Sequence, residues 1–270
     1  LYDPRRHTQR FLRGHDGEVR CLALHPRGTF LASGQAAGGS TEICVWQLDE
    51  PEPVMTLTAA HSRGVAALEF SGGGDQLVSI GATPDPECAI VVWEWRQGTA
   101  RRALTECAGP MFGLAWSPTD GTIAAVGARS VTLWSTEPKG GLARREAQVT
   151  PIKPGRSAAS ERASRGGGAV FMCCAYLRDG LLVAGTSQVL NMYDRHGFVS
   201  GIEWRKTCFD GEGAAAAHRG ATLCALCLSS DEEGSLVATG HGEADGRVHT
   251  RPGGFGCGAV RLWERGSWVC

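Results

Sequence analysis

Gly14-His15-Asp16-Gly17-Glu18-Val19-Arg20-Cys21-Leu22-Ala23-Leu24-His25-Pro26 is followed by Leu31-Ala32-Ser33-Gly34-Gln35 and then by Ile43-Cys44-Val45-Trp46. These pieces read as three short strands. Val19 to His25 is apolar with one charge, Pro26-Arg27-Gly28 is a turn, Phe30 to Ser33 is apolar again, and Gly34 to Ser40 is a small-residue loop. Ile43 to Trp46 closes the set with β-branched and aromatic residues, which suit a pleated, packed surface. A Gly-His opening a strand and a Trp closing one about 30 residues later is the pattern of one blade of a β-propeller.

The plan recurs along the chain, and repetition is the main argument for the fold. His61, Val65–Phe70, the turn Ser71–Asp75, Gln76–Ile80 and Ala89–Trp93 make a second blade. Phe112–Trp116, Ser117–Gly121, Thr122–Val126 and Val131–Trp134 make a third. Val170–Tyr176, Leu181–Ala184 and Val189–Tyr193 make a fourth. His218, Leu223–Leu228, Leu236–Thr239 and Ala259–Trp263 make a fifth. The closing aromatics are Trp46, Trp93, Trp134, Tyr193 and Trp263; the first three are 47 and 41 residues apart, near the roughly 40–45 of a four-stranded blade. The expected organisation is an extended lead-in at 1–14, blades at 15–60, 61–106, 107–137, 169–200 and 217–265, and a basic loop at 138–168. The apolar runs have strand length, and no helical segments alternate with them. The fold class is therefore all-β: a propeller of about five degenerate blades, incomplete or part of a larger one.

Composition narrows the function classes. The chain has 270 residues, 38 of them Gly, and a formal net charge of −1. Many glycines fit many tight turns, and the balanced charge speaks against a nucleic-acid protein. No apolar run is long enough to span a membrane, and Leu1–Arg13 is not a signal peptide. Eleven Cys with no leader favour reduced thiols in an intracellular protein. Cys224-Ala-Leu-Cys227 has CxxC spacing, but positions three apart in a strand face opposite sides, so these read as small core residues. No paired carboxylates, nucleophile motif, phosphate loop or metal-ligand cluster stands out, so no enzyme, cofactor or small-molecule substrate is expected.

His15, His61 and His218 precede the first strands of their blades, Ser33 and Thr239 lie on second strands, and the closing Trp lies on the third. Such residues resemble the hydrogen-bonded ladder of WD40 propellers, which implies a structural role; the alternative for the histidines is ligand or partner binding. The ladder usually includes an Asp six residues before the Trp. Here Ser40, Glu87, Ala128, Ser187 and Cys257 stand there, so the ladders are expected to be incomplete, with apolar stacking carrying more of the stability.

Gln9-Arg10-Phe11-Leu12-Arg13-Gly14-His15 leading into Val19–Pro26 is similar to the entry of the echinoderm microtubule-associated protein-like (EMAP-like) propellers. Ala32–Gly38, Val92-Trp93-Glu94-Trp95, Ser117-Pro118-Thr119-Asp120 and Leu177-Arg178-Asp179-Gly180 resemble that family too, in order, over roughly residues 1 to 200. The resemblance implies a cytoplasmic, cytoskeletal scaffold that binds tubulin, microtubules or their associated proteins, with cilium, flagellum or centriole as related settings. It also implies that the sequence is most of the first of two tandem propellers. The competing reading is a general WD40 interaction platform with no microtubule role.

One segment concentrates charge. Residues 138–168 carry Lys139, Arg144, Arg145, Lys153, Arg156, Arg162 and Arg165 against Glu146 and Glu161, a local net charge of +5. Its Gly, Ser, Ala and Pro content reads as a mobile loop. It is either a solvated insertion or, through Arg144, Arg145, Lys153, Arg156, Arg162 and Arg165, a tether to an acidic surface such as the tails of tubulin.

Overall fold

The computed structural model describes residues 1–36, 41–58, 61–82, 89–104, 111–127, 130–136, 141–147, 171–177, 180–185, 189–194, 197–203, 223–230, 236–243 and 259–264. All regular structure among them is β. A hairpin of β1 (Tyr2–Asp3) and β2 (Thr8–Gln9) precedes five antiparallel sheets. The first sheet is β3 (Val19–Leu24), β4 (Phe30–Gln35), β5 (Glu42–Gln47) and β6 (Pro53–Thr58). The second is β7 (Val65–Phe70), β8 (Leu77–Gly81), β9 (Ala89–Glu94) and β10 (Thr99–Leu104). The third is β11 (Met111–Trp116), β12 (Ile123–Gly127), β13 (Ser130–Thr136) and β14 (Leu142–Ala147). The fourth is β15 (Phe171–Leu177), β16 (Gly180–Gly185), β17 (Val189–Asp194) and β18 (Gly197–Glu203), and the fifth is β19 (Leu223–Ser230), β20 (Leu236–Glu243) and β21 (Ala259–Glu264). Within each sheet the strands follow chain order, as short hairpin connections dictate.

Three expectations change. Residues 138–168 were expected as one loop, but Leu142–Ala147 is a strand, the fourth of the third sheet, which extends that blade past 137. Its Arg-Arg-Glu run masks the strand because an outermost strand tolerates charge. The fourth sheet likewise runs to Glu203 rather than 200. Residues 1–14 were expected as an extended lead-in, but Tyr2–Asp3 pairs with Thr8–Gln9 as a hairpin, and Phe11 lies outside any strand and is 64% exposed.

The chain divides into two compact units, Leu1–Thr122 with Ser135–Arg144, and Ile123–Trp134 with Arg145–Cys270. In the first unit β3 lies against β7 and β7 against β11. In the second, β12 lies against β15 and β15 against β19. A β-bulge recurs near the start of the innermost strand, between Val19 and Cys21, Val65 and Ala67, Phe171 and Cys173, and Ala225 and Cys227. The extra residue shifts the alternation, so Val65, Leu68 and Phe70 share the face of β7 that also carries Ser79 of β8, while Ala67 and Glu69 face the other way. At β19 the same bulge overturns the expectation for the CxxC pair: Cys224 pairs with Gly242 and Cys227 with Gly240, two positions apart, hence on one face.

The first two sheets meet over an apolar cluster that includes Ala23, Val45, Val65, Leu68, Phe70, Leu77, Trp93 and Trp95. Close approach is set by Gly34: a Cβ there would lie 2.7 Å from Val65 Cβ and 2.8 Å from Cys21 Sγ. Burial pushes the Cys21 thiol up to about 12 and the Cys44 thiol up to about 11, so both act as small apolar residues. At the turn end, His25 Nε2 donates to Gly74 O (3.1 Å), Trp95 Nε1 donates to the same oxygen (2.8 Å), and His25 Nδ1 accepts from Arg27 N (3.1 Å). His25 stacks edge-on against Phe30 and Phe70, and the Arg96 guanidinium sits 4.2 Å from the Trp95 ring centre, a cation–π cap. Desolvation lowers the His25 pKa, consistent with a neutral ring whose Nδ1 must accept.

Gly74 has φ +79°, and a Cβ on it would overlap the His25 ring. Gly28 has φ +68°, but nothing lies within 4 Å of its Cβ position. Gly74→Ala is expected to cost roughly 2–5 kcal/mol, the sum of left-handed strain and overpacking. Gly28→Ala should cost only about 1–2 kcal/mol. Urea unfolding of the two variants measures the difference, and equal losses would refute the turn contact.

Glu69 lies on the face of β7 turned away from the first sheet, and burial pushes its carboxyl from 4.5 up to about 7. Because the folded value is the higher one, stability is fully present below pH 4.5 and is lost as pH rises toward about 7. Thermal melts should show that decline for the parent chain and a smaller one for Glu69→Gln.

Candidate functional site

The ladder residues come together in the first sheet. Trp46 Nε1 donates to Ser33 Oγ (2.7 Å), and Ser33 Oγ meets His15 Nε2 (2.6 Å). His15 Nδ1 meets Gln35 Oε1 (2.7 Å), and Gln35 Nε2 donates to Asp16 Oδ1 (2.7 Å). An indole N–H can only donate and the Gln35 amide oxygen can only accept, so the Ser33 hydroxyl accepts from Trp46 and donates to His15 Nε2. His15 Nδ1–H then donates to the amide oxygen, and the relay runs in one direction to a carboxylate. Trp46, Ser33 and Gln35 are buried. Gly14 packs on the indole: its Cβ position lies 2.9 Å from the Trp46 ring.

The second sheet repeats the core of this relay. Trp93 Nε1 donates to Ser79 Oγ (2.9 Å), and Ser79 Oγ meets His61 Nε2 (2.7 Å). Ser79 escaped the sequence reading, although it stands 18 residues after His61, as Ser33 does after His15. Gln35 and Asp16 were missed as well, because no second repeat carries them: Gly81 and Ser62 occupy the corresponding positions.

The third sheet breaks the relay. Trp46 pairs with Leu31 and Trp93 with Leu77, and the serine lies two residues on. Trp134 pairs with Ile123, so the matching position is Ala125. With no hydroxyl there, Trp134 Nε1 and Thr132 Oγ1 are buried without a hydrogen-bond partner among the described residues. In the fourth sheet Tyr193 pairs with Leu181, and the matching residue is Val183. Burial pushes the Tyr193 hydroxyl up to about 12. In the fifth, Trp263 pairs with Val237, which sets Thr239 at the serine position. His218 lies outside the described residues, as do Ser40, Glu87, Ala128, Ser187 and Cys257.

Of the basic segment, Arg144 and Arg145 are exposed on β14. Lys153, Arg156, Arg162 and Arg165 lie outside the described residues. Among the described residues no group of three or more His, Cys, Asp or Glu could hold a metal ion, and no helix is long and apolar enough to cross a membrane.

Residues 6–47, which contain the complete relay, match the family described as WD domain, G-beta repeat. Over 93% of its length the chain superposes on 74% of the Cps50 (Swd1) β-propeller domain of Myceliophteria thermophila, with a TM-score of 0.62 and 17% identity. The fold is a WD40-type β-propeller. Among relatives, the chain is 39% identical over 100 residues to cilia- and flagella-associated protein 52 of Chlamydomonas reinhardtii, covering 36% of this chain and 15% of that one. It is 27% identical over 268 residues to echinoderm microtubule-associated protein-like 3 of Mus musculus, covering 91% of this chain and 28% of that one. The chain therefore spans well under a third of the length of these two relatives.

Ser33→Ala and Ser79→Ala should each cost about 1–3 kcal/mol, because each strands a buried indole N–H. Ala125→Ser should raise stability by about 1 kcal/mol by giving Trp134 an acceptor. Chemical denaturation of the three variants checks the signs, and a destabilised Ala125→Ser would show that the third sheet lacks room for the hydroxyl.

Proposed function

We propose that the chain is a non-catalytic cytoskeletal scaffold that binds microtubules or tubulin. The observation that carries this reading is the similarity to the mouse EMAP-like relative, which runs over nearly the whole chain rather than over one repeat. A second relative named for cilia and flagella points to the same structures. A propeller supplies rigid sheets whose rims and turns are free to recognise a partner, and the ladder residues face inward as packing elements. The basic segment is the tether: Arg144 and Arg145 project from the outermost strand of the third sheet, and Lys153, Arg156, Arg162 and Arg165 follow in sequence. Acidic tubulin tails are the complementary surface.

Co-sedimentation with polymerised tubulin at low and moderate salt tests this. Binding should weaken as salt shortens the screening length toward about 8 Å. A variant with Arg144, Arg145, Arg156, Arg162 and Arg165 all changed to Gln should bind at least about tenfold more weakly and lose most of the salt slope. Unchanged affinity in that variant moves the contact to the sheets, and absence of binding by the parent chain favours a general interaction platform.

A further inference from the structure

We propose that His25 is an acid-released latch between the first two sheets: its neutral ring ties the turn after β3 to the turn after β7, and protonation of the ring frees both turns. One turn position in successive repeats shows what is particular to His25. His25 N donates to Phe30 O (2.9 Å), Ser71 N to Gln76 O (2.9 Å) and Ser117 N to Thr122 O (2.8 Å), so these three residues open the same turn of their sheets. Ser71 Oγ accepts from Gln76 N (3.1 Å), and Ser117 Oγ accepts from Thr119 N and Asp120 N (3.4 Å each). A hydroxyl therefore suffices to cap this turn. His25 also caps its own turn, with Nδ1 accepting from Arg27 N, but its ring then reaches on to Gly74 O in the turn of the next sheet. The imidazole thus puts a group that titrates near neutral pH where the next two repeats have one that does not.

Both ring nitrogens are engaged. A second proton would have to sit on Nδ1, 3.1 Å from the Arg27 amide nitrogen, and would set one donor against another. The surroundings give a charged ring little in return. The residue is 3% exposed, and its ring meets Phe30, Phe70 and Trp95 edge-on, with centroids at 5.6, 5.1 and 6.4 Å. Of the charged groups around it, Arg96 and Arg27 oppose a further positive charge. Asp75 favours one, but its carboxylate is 86% exposed and held by Arg96 at 3.6 Å. Burial has the largest effect and lowers the His25 pKa from 6.5 despite the bond to Gly74. Because the folded value is the lower one, the latch contributes fully above pH 6.5, and its contribution is lost as pH falls through the folded value. The charged ring then leaves the seam for water. Arg27 N–H loses its acceptor, Gly74 O keeps the bond from Trp95 Nε1, and the Phe30, Phe70 and Trp95 rings lose their common neighbour. Glu69 titrates in the opposite sense and lies on the other face of β7 from Phe70.

Local measurements on the whole chain, without tubulin, test this apart from the microtubule reading, and a Glu69→Gln background removes the opposing titration. Nitrogen NMR of the ring should show His25 neutral at about pH 7.5, with its proton on Nε2. The ring should titrate with a midpoint below 6.5. Exchange of the Arg27 amide, corrected for the intrinsic effect of pH, should be at least about tenfold faster at about pH 5 than at about pH 7.5, while the amides of β5 keep their protection. His25→Asn retains a side-chain acceptor for Arg27 N, as Ser117 does for Thr119 N, and cannot titrate. In that variant Arg27 protection should be the same at both pH values. Should His25→Asn fail to fold, the ring titration and Arg27 exchange of the parent chain decide. A midpoint at or above 6.5, a neutral ring protonated on Nδ1, or Arg27 protection unchanged across the titration of His25 would each overturn the proposal. So would an equal loss of protection in β5, which is general unfolding, or a His25→Asn chain with the parent's pH dependence.

Discussion

The distance between one sheet and the inner strand of the next constrains everything else in this molecule. Gly34 and Val65 show why. Face-to-face sheets usually sit about 10 Å apart, with side chains interleaved between them. Here the first sheet offers Cys21, Ala23, Ala32 and Gly34, and the second answers with Val65, Leu68 and Phe70. Small against large fills the gap without voids, and burial of the larger set contributes at about 25 cal/mol per Å² of apolar surface. Which face a residue occupies is in turn set by the bulge near the start of each innermost strand. Without that extra residue Val19 would fall on the opposite face from Leu22 and Leu24.

The ladder is subordinate to this packing. In the first two sheets an indole N–H, a hydroxyl and an imidazole satisfy one another inside an apolar seam, so each polar atom is buried without the penalty of being left alone. The third sheet keeps Trp134 but not the hydroxyl, and still buries Ile123, Ala124, Ala125 and Val126 completely. One stranded donor costs about 1–3 kcal/mol, which apolar burial across a whole sheet outweighs. The repeat can therefore lose its polar residues one at a time, while loss of the small-to-large seating would remove the seam itself.

The parts of this arrangement that depend on local pattern are plain in the amino-acid sequence. Short apolar runs between Gly, Pro and Asp turns give the strands, and the 18-residue step from His15 to Ser33 gives the relay. Ser79 was equally accessible at the same step from His61. What the sequence hides depends on register and distance. The bulge that brings Cys224 and Cys227 to one face cannot be seen in their spacing. β14 hides behind Arg144-Arg145-Glu146, which reads as a solvated loop. The bond from His25 to Gly74 joins residues 49 apart in sequence, and nothing local in either turn announces the other.

Folding and recognition draw on different residues in this chain. The seams and ladders use positions whose chemistry is dictated by a neighbour within a few ångström, so those positions repeat from sheet to sheet. The outermost strand of a sheet has one open edge and is in contact with water, and charge there guards against edge-to-edge aggregation at little cost to the fold. Arg144 and Arg145 sit on such a strand and are exposed. The same propeller can thus carry different partners by changing its rim while its seams stay fixed. Substitutions at the rim can then be read as effects on binding, whereas substitutions at Ser33, Gly34 or Val65 act first on the fold that presents it.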